Sequence, residues 1–505
     1  MFLVLLNNVN DILKYPKQSE WNTKGMEKVY TNSDHYDVLF SGTSMAVTNI
    51  SAEELYSKYG IASYSIGEPE QMVFLSYYSL KEALKYQSPK IVLFDAQAMF
   101  YSEEREKGLL EDYEQTTAHY TLDSLMNGKE KYDAVTEIKK LHPSSTYWEY
   151  FSKMYYNHSN WENITEDNFE SLQSKDIIMG NRSLTGILEN VSENKYISWE
   201  DNTGEEADIL ERNIEYLKKI ASLCEERNVK LVLVRGYGSR VWTWSQYNIL
   251  SRLADELDLD YLDLAVHEKE IGFNWITDTQ DGMHHNVVGV KKWTDFLGQY
   301  LVDNYDFTDR RNDINYAEYA EQEEVYKNVL NAVEQKINLV SANHLDQYLD
   351  TLYNMEKEKN VIFISTNGEI NLTETAQNFL NAMGLNIESK NGVVTSYCSV
   401  LDDGKKIVEE NESSARKGYL SDGTFFEITS SDTLMQESAS IKINDQELIQ
   451  GGTGINIVVY NKVCKEVLSS VFFDTYTEEN PITSRINGSG IVEKETGINY
   501  WEQNS

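Results

Sequence analysis

One pattern constrains this chain more than any other. Across residues 36–302, short apolar runs alternate with amphipathic stretches. The runs are Tyr36–Ser41, Ile61–Ile66, Lys90–Asp95, Val229–Val234 and Asp260–Leu264. A strand buried on both faces reads as such a run, and neighbouring parallel strands need a long crossover between them, usually a helix. The spacing predicts those helices. Ser51-Ala52-Glu53-Glu54 is a capping box opening a helix to about Tyr59, which Gly60 ends. Further helices are predicted over Leu80–Tyr86, Asp208–Arg227, Tyr247–Leu257 and from Val288 to about Val302. The second of these carries Ile209, Ile214, Leu217, Ile220 and Leu223 at helical spacing. With right-handed crossovers the result is an α/β fold, a parallel sheet sandwiched in three layers. Ligands in such sheets bind beyond the carboxyl ends of the strands. Ser41–Met45, Gly67–Gln71, Asp95–Gln97 and Arg235–Arg240 are thereby expected around one crevice.

Residues 99–203 interrupt the alternation, a stretch too long for a plain loop. It is rich in Tyr, Trp, Asn and Glu, and is expected to form a mostly helical cap over the crevice. Its aromatic rings have two possible roles, stacking on sugars or filling the core of a helical subdomain. Residues 303–339 read as a charged helical connector, and after it the texture changes. A helix over His344–Met355, a strand over Asn360–Ser365 and a helix over Thr373–Met383 precede a series of β-runs: Tyr397–Leu401, Thr424–Thr429, Ser440–Ile443, Ile455–Tyr460 and Val467–Phe473. This predicts an independent α+β domain, followed by a polar, flexible tail after about Glu478.

Composition removes several function classes. Among 505 residues, Lys and Arg number 45 against 82 Asp and Glu, a formal charge of −37. Such a surface repels nucleic-acid phosphates and anionic lipid headgroups, so neither is an expected partner. Cys224, Cys398 and Cys464 are too few for a disulfide framework or a Cys-rich metal site, and only Cys398 and Cys464 share one half of the chain. No stretch reaches the length of a membrane span. The N-terminal run Met1–Leu6 is too short for a signal-peptide core. It fits either a short strand or helix, or the end of an anchor helix.

Two segments carry candidate chemistry. Gly42-Thr43-Ser44 follows the first strand, where a hydroxyl faces the crevice and its own backbone N–H can meet a developing oxyanion. Asp281-Gly-Met-His284-His285-Asn286 precedes the last helix. A carboxylate three positions before a histidine can hold one ring nitrogen while the other serves a serine as general base. A metal reading of Asp278, Asp281, His284 and His285 is the alternative. Adjacent side chains in a loop rarely converge on one ion, and no further His or Cys lies near in sequence.

Together these residues resemble the SGNH (GDSL-like) hydrolase superfamily, in its cell-surface branch of DltD-, AlgJ- and AlgX-like proteins. The resemblance rests on DVLFSGTSMA, SYSIGEPEQ, YNILSRLADELDLDYLDL and DGMHHNVVGVKKWTDFLGQYL, and covers about residues 36–302 outside the insertion. It implies Ser44 as nucleophile, His284 as base, Asp281 as its orienting acid, and the N–H groups of Ser44 and Gly67 as oxyanion donors. Thr43 replaces the usual Ser or Asp, and His285 stands where Leu is usual. No Gly-x-Asn-Asp block is present; Asp95-Ala-Gln97 lies at that strand end, with Gln97 as the candidate third donor.

The segments NVIFISTNGEINLT and SASIKINDQELIQGGTGINIVVYNKVCKEVLSSVFFDTY resemble an ILEI-type (interleukin-like EMT inducer) domain over about residues 343–478. Gly454-Ile455-Asn456 and Phe473-Asp474-Thr475 carry the match, with Thr453 in place of the expected Arg. That resemblance implies a non-catalytic module binding a glycan or a partner.

The expected layout is an N-terminal segment 1–35, a hydrolase-like domain 36–307 with its insertion at 99–203, a connector 308–342, the ILEI-like domain 343–478 and a tail 479–505. The expected function is a serine-dependent carbohydrate esterase or O-acyltransferase, with acetyl the implied acyl group and a cell-envelope or secreted polysaccharide the substrate. It needs no cofactor. The resemblance further implies an extracytoplasmic location, an N-terminal anchor of which residues 1–35 keep a remnant, and a membrane O-acyltransferase as a possible partner. The competing expectation is a non-catalytic glycan-binding or assembly protein on a degenerate scaffold of the same type.

Overall fold

The computed structural model describes residues 9, 12–13, 26–31, 35–111, 117–164, 177–188, 196–236, 242–389, 393–432, 439–449, 454–475 and 482–486. The chain divides into two compact units, residues 1–326 and 327–505.

Each apolar run of the first unit becomes a strand: β1 (Val38–Ser41), β2 (Ser63–Ser65), β3 (Ile91–Asp95), β6 (Lys230–Arg235) and β7 (Asp260–Asp263). They form one parallel sheet in the order β2-β1-β3-β6-β7. Every residue of β1, β2 and β3 is buried. Alternate residues of a strand point to opposite faces, so both faces of the sheet are covered.

Short α1 (Ser44–Thr48) and α2 (Ala52–Tyr59) link β1 to β2. Ser51 Oγ accepts the Glu54 N–H at 3.1 Å and Gly60 closes α2 in the left-handed region, but the reciprocal bond of the expected capping box is replaced: the Ser51 N–H donates to Thr294 Oγ1 at 3.0 Å. The next helix, α3 (Val73–Ala83), begins ahead of the predicted Leu80. Nine of its eleven residues are buried, so it lacks the polar face that marks a helix by periodicity. The remaining helices lie where expected: α4 (Glu211–Glu226), α5 (Trp244–Leu257) and α7 (Val287–Asn304), with a short α6 (Leu264–Ile271) directly after β7.

The insertion is mostly helical, with helices over Glu103–Glu111, Ala118–Ser124, Lys129–Leu141, Tyr147–Phe151 and Lys153–Asn157, and a small hairpin of β4 (Ile177–Ile178) and β5 (Asn181–Arg182). It reaches two crevice segments. Gln71 donates to Thr121 Oγ1 at 2.8 Å, and Arg105 pairs with Glu70, both beside the loop after β2. Asn181 donates to Ala46 O at 3.1 Å and Val47 O at 3.3 Å on α1. Its aromatics divide into buried and exposed rings. Tyr150 and Tyr156 are buried and stack on His119, whereas Trp148, Trp161 and Trp199 are exposed.

The division between units falls within a long helix, α8 (Ala317–Ser341). The second unit adds α9 (Leu345–Asn354), α10 (Glu374–Ala382) and a six-stranded antiparallel sheet. Its order is β12 (Lys405–Glu410), β11 (Cys398–Asp402), β8 (Asn360–Asn367), β17 (Gly454–Asn461), β18 (Glu466–Phe473) and β19 (Ile482–Ile486). A four-stranded sheet joins β13 (Ser414–Tyr419), β14 (Phe425–Ser430), β15 (Ser440–Ile443) and β16 (Gln446–Glu447), and β9 (Ile370–Asn371) pairs with β10 (Val393–Val394). The period-two pattern of β8 feeds two cores. Ile362 and Ile364 pack with Tyr348, Leu352 and Leu380 of the helices; Val361 and Phe363 pack with Phe426, Ile428 and Ile441 of the smaller sheet.

β19 lies inside the stretch expected to be a flexible tail, while residues 476–481 and 487–505 fall outside the described residues. The expected N-terminal anchor also falls largely outside them. Among the described residues, no helix is long and apolar enough to cross a membrane. All three cysteines are free thiols.

Candidate active site

The strand order reverses between β1 and β3: the chain leaves β1 toward β2, then crosses back to place β3 on the other side. Such a switch point opens a crevice at the carboxyl ends of the two strands. Ser44 follows β1 at this point, and Asp95 ends β3.

The turn that presents Ser44 is built by its neighbours. Gly42 has φ +134°, and a Cβ there would lie 2.6 Å from the Asp95 Cβ, so both conformation and space require glycine. Thr43 caps α1: its Oγ1 accepts the Met45 N–H at 3.3 Å and donates to Asp95 Oδ2 at 2.5 Å, and its N–H reaches the same oxygen at 3.1 Å. Burial pushes the Asp95 carboxyl above its ordinary range, against the pull of these donors. Ser44 opens the helix, where its own N–H has no carbonyl to bond within the helix.

The histidine arrives from the loop between α6 and α7. His284 Nε2 lies 2.9 Å from Ser44 Oγ, and His284 Nδ1 lies 2.7 Å from Asp281 Oδ2. The other carboxylate oxygen of Asp281 accepts the N–H groups of Met283 at 2.9 Å and His284 at 2.8 Å. Burial raises the Asp281 pKa, but the His284 ring and these two N–H groups outweigh it and hold the carboxyl below its usual range. Asp281 stays ionised and orients the ring. The His284 side chain keeps 18% exposure, enough for a substrate to reach it.

Asn49, which no local pattern marks, holds the two halves together. Its Oδ1 accepts the His285 N–H at 3.1 Å and the Thr48 hydroxyl at 2.8 Å. Its Nδ2 donates to Gly236 O at 2.5 Å and Met283 O at 3.3 Å. One buried amide thus connects the serine helix, the end of β6 and the histidine loop. Asn286 caps α7 through Val288 and Gly289 and donates to Gly186 O and Thr277 O, fixing the other end of that loop.

The crevice segments meet as expected where they are described. Glu68 N–H donates to Gly42 O at 3.1 Å, and Gly236 is held by Asn49. Residues 237–240 of the fourth segment lie outside the described residues. Gly67 belongs at this rim for steric reasons, since a Cβ would lie 2.7 Å from the Ala46 Cβ. Its N–H, however, is directed to Ser65 Oγ at 3.3 Å, not turned freely to the crevice. The Gln97 backbone N–H is likewise engaged, by Asp95 Oδ1 at 3.2 Å. Its side-chain oxygen is buried without a hydrogen-bond partner among the described residues.

The four residues of the metal reading do not converge. Asp278 Oδ2 takes Lys292 Nζ and the Asn274 N–H, both at 2.7 Å. The His285 ring is fully buried beside Phe273 and Trp275, and burial pulls its pKa down to about 3. It is a neutral core side chain, chemically separate from its neighbour His284.

No protein-family model matches the chain, and no curated protein matches it.

Proposed function

We propose that the chain is a serine-dependent esterase or O-acyltransferase of the SGNH type, acting on acyl esters of a polysaccharide. The observation that carries this reading is the continuous relay Ser44 Oγ–His284 Nε2 at 2.9 Å and His284 Nδ1–Asp281 Oδ2 at 2.7 Å, placed at the switch point of a parallel sheet. Ser44 Oγ attacks the acyl carbonyl while His284 Nε2 takes its proton. The tetrahedral intermediate collapses, and the departing sugar oxygen receives that proton from His284. Water or a second sugar hydroxyl, deprotonated in turn by His284, then releases the acyl group from Ser44. The Ser44 N–H is the first oxyanion donor. Gly67 N–H and the Gln97 side chain would complete the site after small local turns, because catalytic hydrogen bonds often tighten only in the complex.

This chemistry needs no cofactor. The polysaccharide substrate, acetyl as the acyl group, an extracytoplasmic location and a membrane O-acyltransferase partner are further parts of the proposal, supported by the sequence resemblance. So is an ILEI-like role for the second unit as a glycan- or partner-binding module.

A second reading, a non-catalytic glycan-binding protein, draws on the engaged Gly67 N–H, which leaves the oxyanion site incomplete as it stands. Two measurements separate them. A fluorophosphonate probe should phosphonylate Ser44 with loss of fluoride, located by peptide mass. Hydrolysis of p-nitrophenyl acetate should fall about 10⁴-fold in Ser44→Ala. Hydrolysis that survives Ser44→Ala unchanged, or a probe that never reaches Ser44, removes the triad.

A further inference from the structure

A cluster of aromatic rings lies beyond the carboxyl ends of β6 and β7, the ends at which Ser44 follows β1, and one of its rings, Trp199, is exposed. Trp242 and Trp244 stand at the opening of α5. Trp242 is the floor: it is buried, and its Nε1–H points between the two Asp263 oxygens at 3.1 and 3.0 Å. Trp244 lies edge-on to it at 4.9 Å. Above them comes Trp199 from the end of the insertion, 4.6 Å from Trp244 and 5.5 Å from Tyr247, yet 57% exposed.

This cluster is held rigid from below. Trp244 Nε1–H donates to Ser198 O at 3.1 Å, which ties the Trp199 segment to α5. Asn202 and Asn248 exchange side-chain hydrogen bonds at 3.0 and 2.9 Å across the same joint. A large aromatic face already held in one orientation can meet a partner's apolar groups with little further ordering cost on binding.

We infer that Trp199, with Trp244 tilted at 45° and Tyr247 edge-on at 86° behind it, is a stacking platform for a neutral, β-linked polysaccharide strand that leads toward Ser44. Pyranose rings with equatorial substituents present a flat C–H face, and aromatic faces attract C–H groups through their quadrupole. The surroundings select the charge of that strand. Glu200, Asp201 and Glu205 are exposed around the joint, and Glu206 beside them is paired with Arg252 at 2.7 Å. These carboxylates accept hydrogen bonds from sugar hydroxyls and repel a polyanion. The inference rests on the esterase reading for the direction of the strand, while binding itself is independent of the triad.

Native affinity electrophoresis in gels containing hydroxyethyl cellulose, or alginate as the polyanionic contrast, tests this. Hydroxyethyl cellulose should retard the wild-type chain and alginate should not. Trp199→Ala should weaken retardation at least tenfold, with Trp199→Phe restoring most of it and the Tm unchanged in both. Ser44→Ala should bind like the wild type, so a failed triad and a failed platform give different results. On soluble acetylated cellulose, Trp199→Ala should raise KM and leave kcat alone. No retardation of the wild type, equal retardation of wild type and Trp199→Ala, or stronger retardation by alginate would each overturn the platform.

Discussion

At the scale of single residues, Ser44, His284 and Asp281 form one hydrogen-bonded line, Oγ to Nε2 at 2.9 Å and Nδ1 to Oδ2 at 2.7 Å, and the histidine next to it takes no part. Adjacent His284 and His285 cannot be told apart by spacing. Packing separates them: one ring meets Ser44 and Asp281, while the other is sealed against Phe273 and Trp275. This has a consequence for pH dependence. Burial depresses the folded pKa of His285 to about 3, whereas an unfolded histidine titrates near 6.5. The unfolded state then binds the extra proton first. The His285 contribution is fully present above about pH 6.5 and is lost as pH falls through that window toward the folded value, on the order of a few kcal/mol in all. His285→Leu, which places an apolar side chain of similar size in an apolar site, should remove this sensitivity. Urea midpoints between pH 7 and pH 4 should fall less steeply in the variant than in the wild type. Parallel curves would show that the ring is not buried neutral.

At the scale of elements, legibility followed the contrast between buried and exposed faces. α2 and α4 have such a contrast and were placed closely; α3 is buried nearly all round and was displaced. β12 and β13 were missed because Lys405–Glu410 and Ser414–Tyr419 are polar and largely exposed, as edge strands commonly are. The joint between α1 and the histidine loop was equally invisible. Asn49 ends a short helix, and its partners Gly236, Met283 and His285 come from far downstream, so no local pattern marks it. Its role is positional. Asn49→Ala leaves a buried carbonyl at Gly236 and a buried N–H at His285 without their partner, at about 1–3 kcal/mol for each unsatisfied group. The two elements would then shift relative to each other, and Ser44 Oγ would no longer be held at His284. We expect kcat on a small ester to fall at least tenfold with KM little changed, and fluorophosphonate labelling to slow in proportion. A variant that loses stability but labels Ser44 at the wild-type rate would make Asn49 a packing residue alone.

At the scale of the whole molecule, the five-stranded parallel sheet and a separate antiparallel β unit were both implied by where apolar runs change their spacing. The strand order was not, because crossover rules leave more than one order open. Net charge acts at this scale too. Many acidic groups have partners, such as Asp37 with Arg310 and Glu70 with Arg105. Yet with 82 acidic against 45 basic residues most of the excess has no cation to meet. Repulsion among those carboxylates opposes compaction, and its range is set by the Debye length, about 30 Å at 0.01 M salt and about 10 Å at 0.1 M. Surface ion pairs weaken with salt as well, but each contributes little. Repulsion should therefore dominate the salt response, and the Tm should rise by a few degrees between 10 mM and 300 mM NaCl at pH 7. Magnesium should exceed sodium at equal ionic strength if local carboxylate clusters bind it, whereas equal curves indicate screening alone. A Tm that falls with added salt would mean that the ion pairs, not the excess charge, govern stability.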